Sequence, residues 1–139
     1  MTDKQITEYA ALLLRVSLGV LFLAHAGLKI FVFTPAGTAG YFGSLGLPAF
    51  LAYLAIFAET AGGFALIAGL FTRWVSLALI STPLGAIIYV HADKGWLFTN
   101  EGGGWEFPAF WIATLVVLAL IGRGAYSIEP YVLKIFKKS

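Results

Sequence analysis

Four long apolar runs, separated by short polar or glycine-rich breaks, set the plan of the chain. The first, residues 12–33, reads LLLRVSLGVLFLAHAGLKIFVF, and comparable runs cover 49–71, 74–92 and 106–122. A helix needs roughly 20 mostly apolar residues to cross a bilayer. The pattern therefore predicts four spans, the first over 11–33 and the last, 106–122, short. Pro35, Gly37 and Gly40 end the first run, and Thr72-Arg73 is so short a turn that the second and third helices must be antiparallel neighbours. Residues 1–8 read as a polar head, and 93–106 as the most polar loop. The stretch 36–48, AGTAGYFGSLGLP, has no charge, which predicts a short interfacial or re-entrant segment between helices 1 and 2. The expected fold class is an all-α integral membrane protein, a four-transmembrane-helix bundle forming one domain over 1–139.

Composition strengthens that picture. Hydrophobic residues make up 60% and charged residues 12% of the chain, against about 25% charged in an average soluble domain. There is no cysteine, which excludes disulfides, CxxC redox centres, thiolate nucleophiles and cysteine-ligated iron–sulfur clusters. Any redox chemistry would reside on something the protein binds. The net charge of +2 comes mainly from the termini, and no aromatic-interleaved basic patch suggests nucleic acid. Ala24-His25-Ala26 loosely fits a signal-peptidase site, but the apolar run is too long for a signal sequence and further spans follow, so an uncleaved first helix is expected.

The basic residues predict orientation. Lys4, Arg15, Arg73, Arg123, Lys134, Lys137 and Lys138 fall on one side, and Lys29 and Lys94 on the other. The positive-inside rule then places both termini in the cytoplasm, which for a bacterial protein means the inner (cytoplasmic) membrane. Loops 34–48 and 93–106 face outward.

The ionisable groups inside the runs are the candidate chemistry, because each is costly at depth and needs a partner or water. At 100° per residue, Arg15, Gly19, Phe22, Ala26 and Lys29 share one helical stripe, with His25 at its edge. Lys29 falls ~6 Å, His25 ~12 Å and Glu59 ~15 Å below the outer helix ends. With Tyr89, His91 and Glu106 they gather polar groups in the outer half, while Arg15 is expected to snorkel toward the inner end. Glu59 could lock two helices by pairing with Lys29 or His25, could carry protons, or both. Gly62 and Gly63 lie on its face one turn on, and small residues there permit close helix approach. Pro83 frees the Leu79 carbonyl and predicts a kink with a nearby hydroxyl as substitute partner. His25 and His91 could ligate a haem, hydrogen-bond a quinone carbonyl, or simply hydrogen-bond within the bundle. Tyr89, Trp96, Trp105 and Trp111 would line such a ligand or anchor the protein at the interface. No metal cage and no phosphate loop is present at recognised spacing; Gly102-Gly103-Gly104 lacks the lysine and helix of the latter.

RVSLGVLFLAHAGLKI, GYFGSLGLP, LAYLAIFAETAGGFALIAGLFTRW, YVH, GGGWEFP and the closing GRGAYSIE follow one another in an order and spacing that resembles the DoxX family of small four-helix membrane proteins, over about residues 11–128. The resemblance implies that Arg15, His25, Lys29, Glu59, Gly63 and His91 are the family's characteristic polar positions. It also implies kinship with the small membrane subunit of thiosulfate:quinone oxidoreductase and with oxidative-stress complexes. Without cysteine, such a subunit would supply a quinone pocket or a membrane anchor. The leading expectation is a redox subunit with an outward-facing polar cavity for a quinone. In it Glu59 and His25 carry protons, Lys29 stabilises the reduced anion, and His91, Tyr89, Glu106 and Trp105 contact the ligand. Haem is the second cofactor considered. The alternatives are an accessory subunit that packs its Gly19 and Gly62-Gly63 faces against a larger membrane complex or redox partner, and a small-solute carrier or channel, which would need a homo-oligomer.

Overall fold

A computed structural model describes residues 1–137, so Lys138 of the basic tail lies outside the described residues. The described residues form helices and connecting turns, with no strand among them. Six helices follow in order: α1 (Asp3–Val32), α2 (Pro35–Ser44), α3 (Ala49–Ala68), α4 (Thr72–Lys94), α5 (Glu106–Ile121) and α6 (Glu129–Phe136).

The expected polar head is in fact the first two turns of α1. Thr2 accepts from the Gln5 N–H while the Gln5 side chain accepts from the Thr2 N–H, a capping box that starts the helix well before the apolar run. Helices α1, α3 and α4 are each long and apolar enough to span a membrane. The sixteen-residue α5 is apolar but reaches only ~24 Å, short of a hydrocarbon core of ~30 Å.

Packing closes these four into a bundle. Helix α1 lies against α3 and α5, and α4 also lies against α3 and α5, while α2 covers α3 at one end. The predicted uncharged segment at 36–48 is largely this α2 helix, opened by Thr34 and Pro35. The core is Leu18 and Phe22 of α1, Leu66 of α3, Leu79 of α4, and Trp111, Leu115 and Leu118 of α5. The stripe read from α1 is its buried face: Arg15, Gly19, Phe22 and Ala26 are all enclosed.

The glycines read as permitting close helix approach do so inside the bundle, so the faces that the accessory-subunit alternative would turn outward are already covered. A methyl at Gly19 would lie 2.7 Å from the Gly63 carbonyl, and one at Gly63 would lie 3.0 Å from the Gly19 carbonyl. Here α1 and α3 touch backbone to backbone, which only residues without a side chain allow. Gly62 in turn receives the end of Leu79 from α4. In α4, Pro83 interrupts the hydrogen-bond ladder as predicted. The helix breaks at Ile80, and the Thr82 hydroxyl donates to the freed Leu79 carbonyl at 3.1 Å.

Candidate functional site

The polar groups of α1 and α3 meet at the end of the bundle covered by α2. Lys29 Nζ donates to both Glu59 carboxylate oxygens, at 2.8 and 3.1 Å. Both side chains are largely withdrawn from solvent, 19% and 5% exposed, so the pair is an internal tie between the two helices. Of the two partners foreseen for Glu59, the lysine is the one in contact.

Lys29 stands where α1 changes pitch. Its last five residues, Leu28–Val32, form a π turn, and the Thr38 hydroxyl of α2 donates to the Lys29 carbonyl at 3.2 Å. The same change of pitch occurs at Ile87–His91 of α4 and ends on His91. Wide turns of this kind free backbone groups and re-aim side chains, and they concentrate at functional sites. Two of them at one end of the bundle mark that end. Between α1 and α2, Thr34 holds a φ of 64°, a costly conformation for a β-branched residue, and its hydroxyl accepts from the Gly37 N–H.

His25 lies one turn before Lys29. Its Nδ1–H donates to the Leu21 carbonyl at 2.9 Å; since a carbonyl only accepts, the neutral ring leaves Nε2 as a bare acceptor. The ring packs on Trp111 of α5, with centroids 4.8 Å apart, and Phe22 lies 4.6 Å from the same indole. Trp111 is itself buried, and its Nε1–H has no hydrogen-bond partner among the described residues. A buried donor left unmade is costly. The sequence reading gave Trp111 only the part of an aromatic wall. No local signal could have shown that its polar atom is left without a partner.

His91 is fixed in the same way, with Nδ1–H to the Gly103 carbonyl at 2.8 Å. It and Glu106 line an open cleft of about 920 Å³ together with Trp96, Phe98, Phe107 and Phe110. Glu106 accepts from the Phe98 N–H at 3.1 Å, which ties the 95–105 loop onto the start of α5. Trp105 stacks edge-on against Trp96 at 4.7 Å and does not itself line the cleft. Tyr89 is about half exposed (49%) and lies outside it. The predicted residues thus form two neighbourhoods: Lys29, Glu59, His25 and Trp111 among α1, α3 and α5, and His91 and Glu106 at the loop cleft. Among the described residues, no group of three or more His, Asp or Glu side chains could hold a metal ion.

Arg15 departs from the expected inward snorkel. It is completely buried and donates all five N–H groups to main-chain carbonyls. Nε reaches Arg123 at 2.8 Å, Nη1 reaches Leu66 and Ile67, and Nη2 reaches Ala125 and Tyr126 at 2.7 and 3.0 Å. The Leu66 and Ile67 carbonyls belong to the last turn of α3, where the helix end is negative, and Leu66 also accepts from the Gly69 N–H at 3.1 Å. The arginine caps that helix and ties the 122–127 segment to it. Gly69, at φ +71°, lets the chain turn there without meeting the guanidinium.

A bundle of apolar helices tied by an internal ion pair, with aromatic and polar groups gathered at one end, defines a helical membrane protein whose surroundings are a lipid bilayer. The DoxX family profile matches residues 10–92, and the chain belongs to that family. It is 38% identical over 127 residues to "Putative oxidoreductase CatD" of Bacillus subtilis (strain 168), covering 91% of this chain and 90% of that protein. It is also 28% identical over 135 residues to "Inner membrane protein YqjF" of Escherichia coli (strain K12), covering 91% and 94% of the two chains. No solved structure matches it.

Proposed function

We propose that this protein is the membrane subunit of a redox system and binds a quinone-like molecule beside His25 and Trp111. One observation carries the reading: a buried indole N–H without a partner sits against an imidazole whose Nε2 is left as an acceptor. A quinone carbonyl would accept from Trp111, and the hydroxyl of its reduced form would donate to His25 Nε2. Reduction takes two electrons and two protons; with no cysteine in the chain, the electrons come from a redox partner. His25 is the proton carrier, passing the two protons to the ligand one after the other through Nε2, the ring nitrogen that the Leu21 carbonyl leaves free. Lys29 stands one turn away as the cation that stabilises the reduced anion, and Glu59 holds it in place until then. The relative named an oxidoreductase supports the class of reaction, and the relative named an inner membrane protein supports the location.

The test is mass spectrometry of the organic extract of detergent-purified protein, read with its ultraviolet–visible spectrum. A quinone near one per chain is expected. Trp111→Phe, which keeps the ring and removes the donor, should lower its occupancy about tenfold, the effect of one buried hydrogen bond. A Soret band would replace the quinone with a haem, and a quinone retained equally by Trp111→Phe and His25→Phe would rule out this site.

A further inference from the structure

The end of the bundle around Arg15 carries a pocket of its own, of about 320 Å³. Its walls are Glu8 of α1, Thr72, Arg73 and Trp74 at the start of α4, and Arg123 and Glu129 beyond α5. Arg123 and Glu129 neutralise each other at 2.9 Å. Arg73 and the Glu8 carboxylate, on different helices, each form no hydrogen bond or ion pair with a described residue. The pocket therefore presents one unspent cation and one unspent anion. Two further groups lie beside Arg73. No side chain caps the N-terminus of α4, so its first-turn N–H groups are available to an acceptor. Thr72 is 1% exposed, and its hydroxyl has no hydrogen-bond partner among the described residues.

We infer that this pocket holds the headgroup of a zwitterionic phospholipid, a phosphodiester that also carries a primary ammonium. The phosphate faces Arg73, the start of α4 and the Thr72 hydroxyl; the ammonium faces Glu8. Guanidinium and helix N-terminal N–H groups together are the ordinary protein ligands of a phosphate. A purely anionic headgroup would satisfy Arg73 but set a second negative charge beside Glu8. The zwitterion matches both. Trp74, 73% exposed next to Arg73, places the pocket at bilayer-surface height, where tryptophan collects and lipid headgroups lie.

Native mass spectrometry of the full chain in detergent tests this, with phosphatidylethanolamine, phosphatidylglycerol and soluble glycerophosphoethanolamine as probes. Wild-type protein should retain phosphatidylethanolamine in preference to both others. Arg73→Gln should weaken that retention about tenfold, the effect of one charge-assisted hydrogen bond. Glu8→Gln should abolish the preference over phosphatidylglycerol while thermal unfolding stays unchanged, since neither side chain forms a hydrogen bond or ion pair with a described residue. Equal retention of the two lipids by the wild type overturns the zwitterion assignment. Equal binding of the soluble headgroup overturns the lipid as its source. The comparison among probes is made on unaltered protein, so it stands whatever the variants do.

Discussion

Arg15 and Lys29, fourteen residues apart on one helix, show two solutions to the same cost. A charge inside an apolar bundle must be compensated, and Lys29 is compensated by the opposite charge of Glu59. Arg15 has no carboxylate among its partners; five carbonyl dipoles do the work, which the planar five-donor guanidinium can reach and an ammonium cannot. Arg15→Leu should therefore leave several buried acceptors unmade and cost more than about 3 kcal/mol. Arg15→Lys should recover only part of that loss, read as thermal unfolding of the detergent-solubilised protein. An Arg15→Leu variant as stable as wild type would make the carbonyl cage incidental. At this scale the sequence showed which residues were expensive. It could not show their partners, since the Arg15 acceptors at Arg123 and Tyr126 are 108 and 111 positions away along the chain.

Among the helices, close approach and local pitch shape the site more than propensity does. Gly63 is where α1 and α3 touch, so Gly63→Val should force them apart and cost about 1–3 kcal/mol, the usual penalty of overpacking. Gly27, on the same helix as Gly19, has open space where a methyl would go, and Gly27→Ala should change stability by no more than about 1 kcal/mol. Comparing the two variants in one denaturation series separates packing from helix propensity; equal effects would remove the close contact as an explanation. The break in α4 before Pro83 was legible because proline lacks an N–H wherever it stands. The π turns at Leu28–Val32 and Ile87–His91 were not, because no residue type demands them and they arise from how each helix end is held.

For the whole molecule, the arrangement puts the ion pair and the loop cleft toward one end and Arg15, Arg73 and Arg123 at the other. That separation matches the charge bias read from the chain. If the basic end faces the cytoplasm and α5 completes an even number of crossings, both termini lie there. A green fluorescent protein fused after the last residue should then fluoresce, and a periplasmically active phosphatase at the same point should be silent. The reverse pattern would mean that α5 does not cross, in keeping with its sixteen residues.

The sequence by itself determined that this is a helical membrane protein of the DoxX family, where most of its helices run, and which side chains were too polar for their surroundings. Those properties follow from local hydropathy and from the reach of a helix, which need no knowledge of distant contacts. Tertiary structure alone decided that Glu59 takes Lys29 and not His25, that Arg15 is caged and does not snorkel, and that the glycine faces are consumed within the bundle. It also decided that the Trp111 N–H is left without a partner beside His25. Each depends on which helix faces meet, and that is settled only when all four close around a common core.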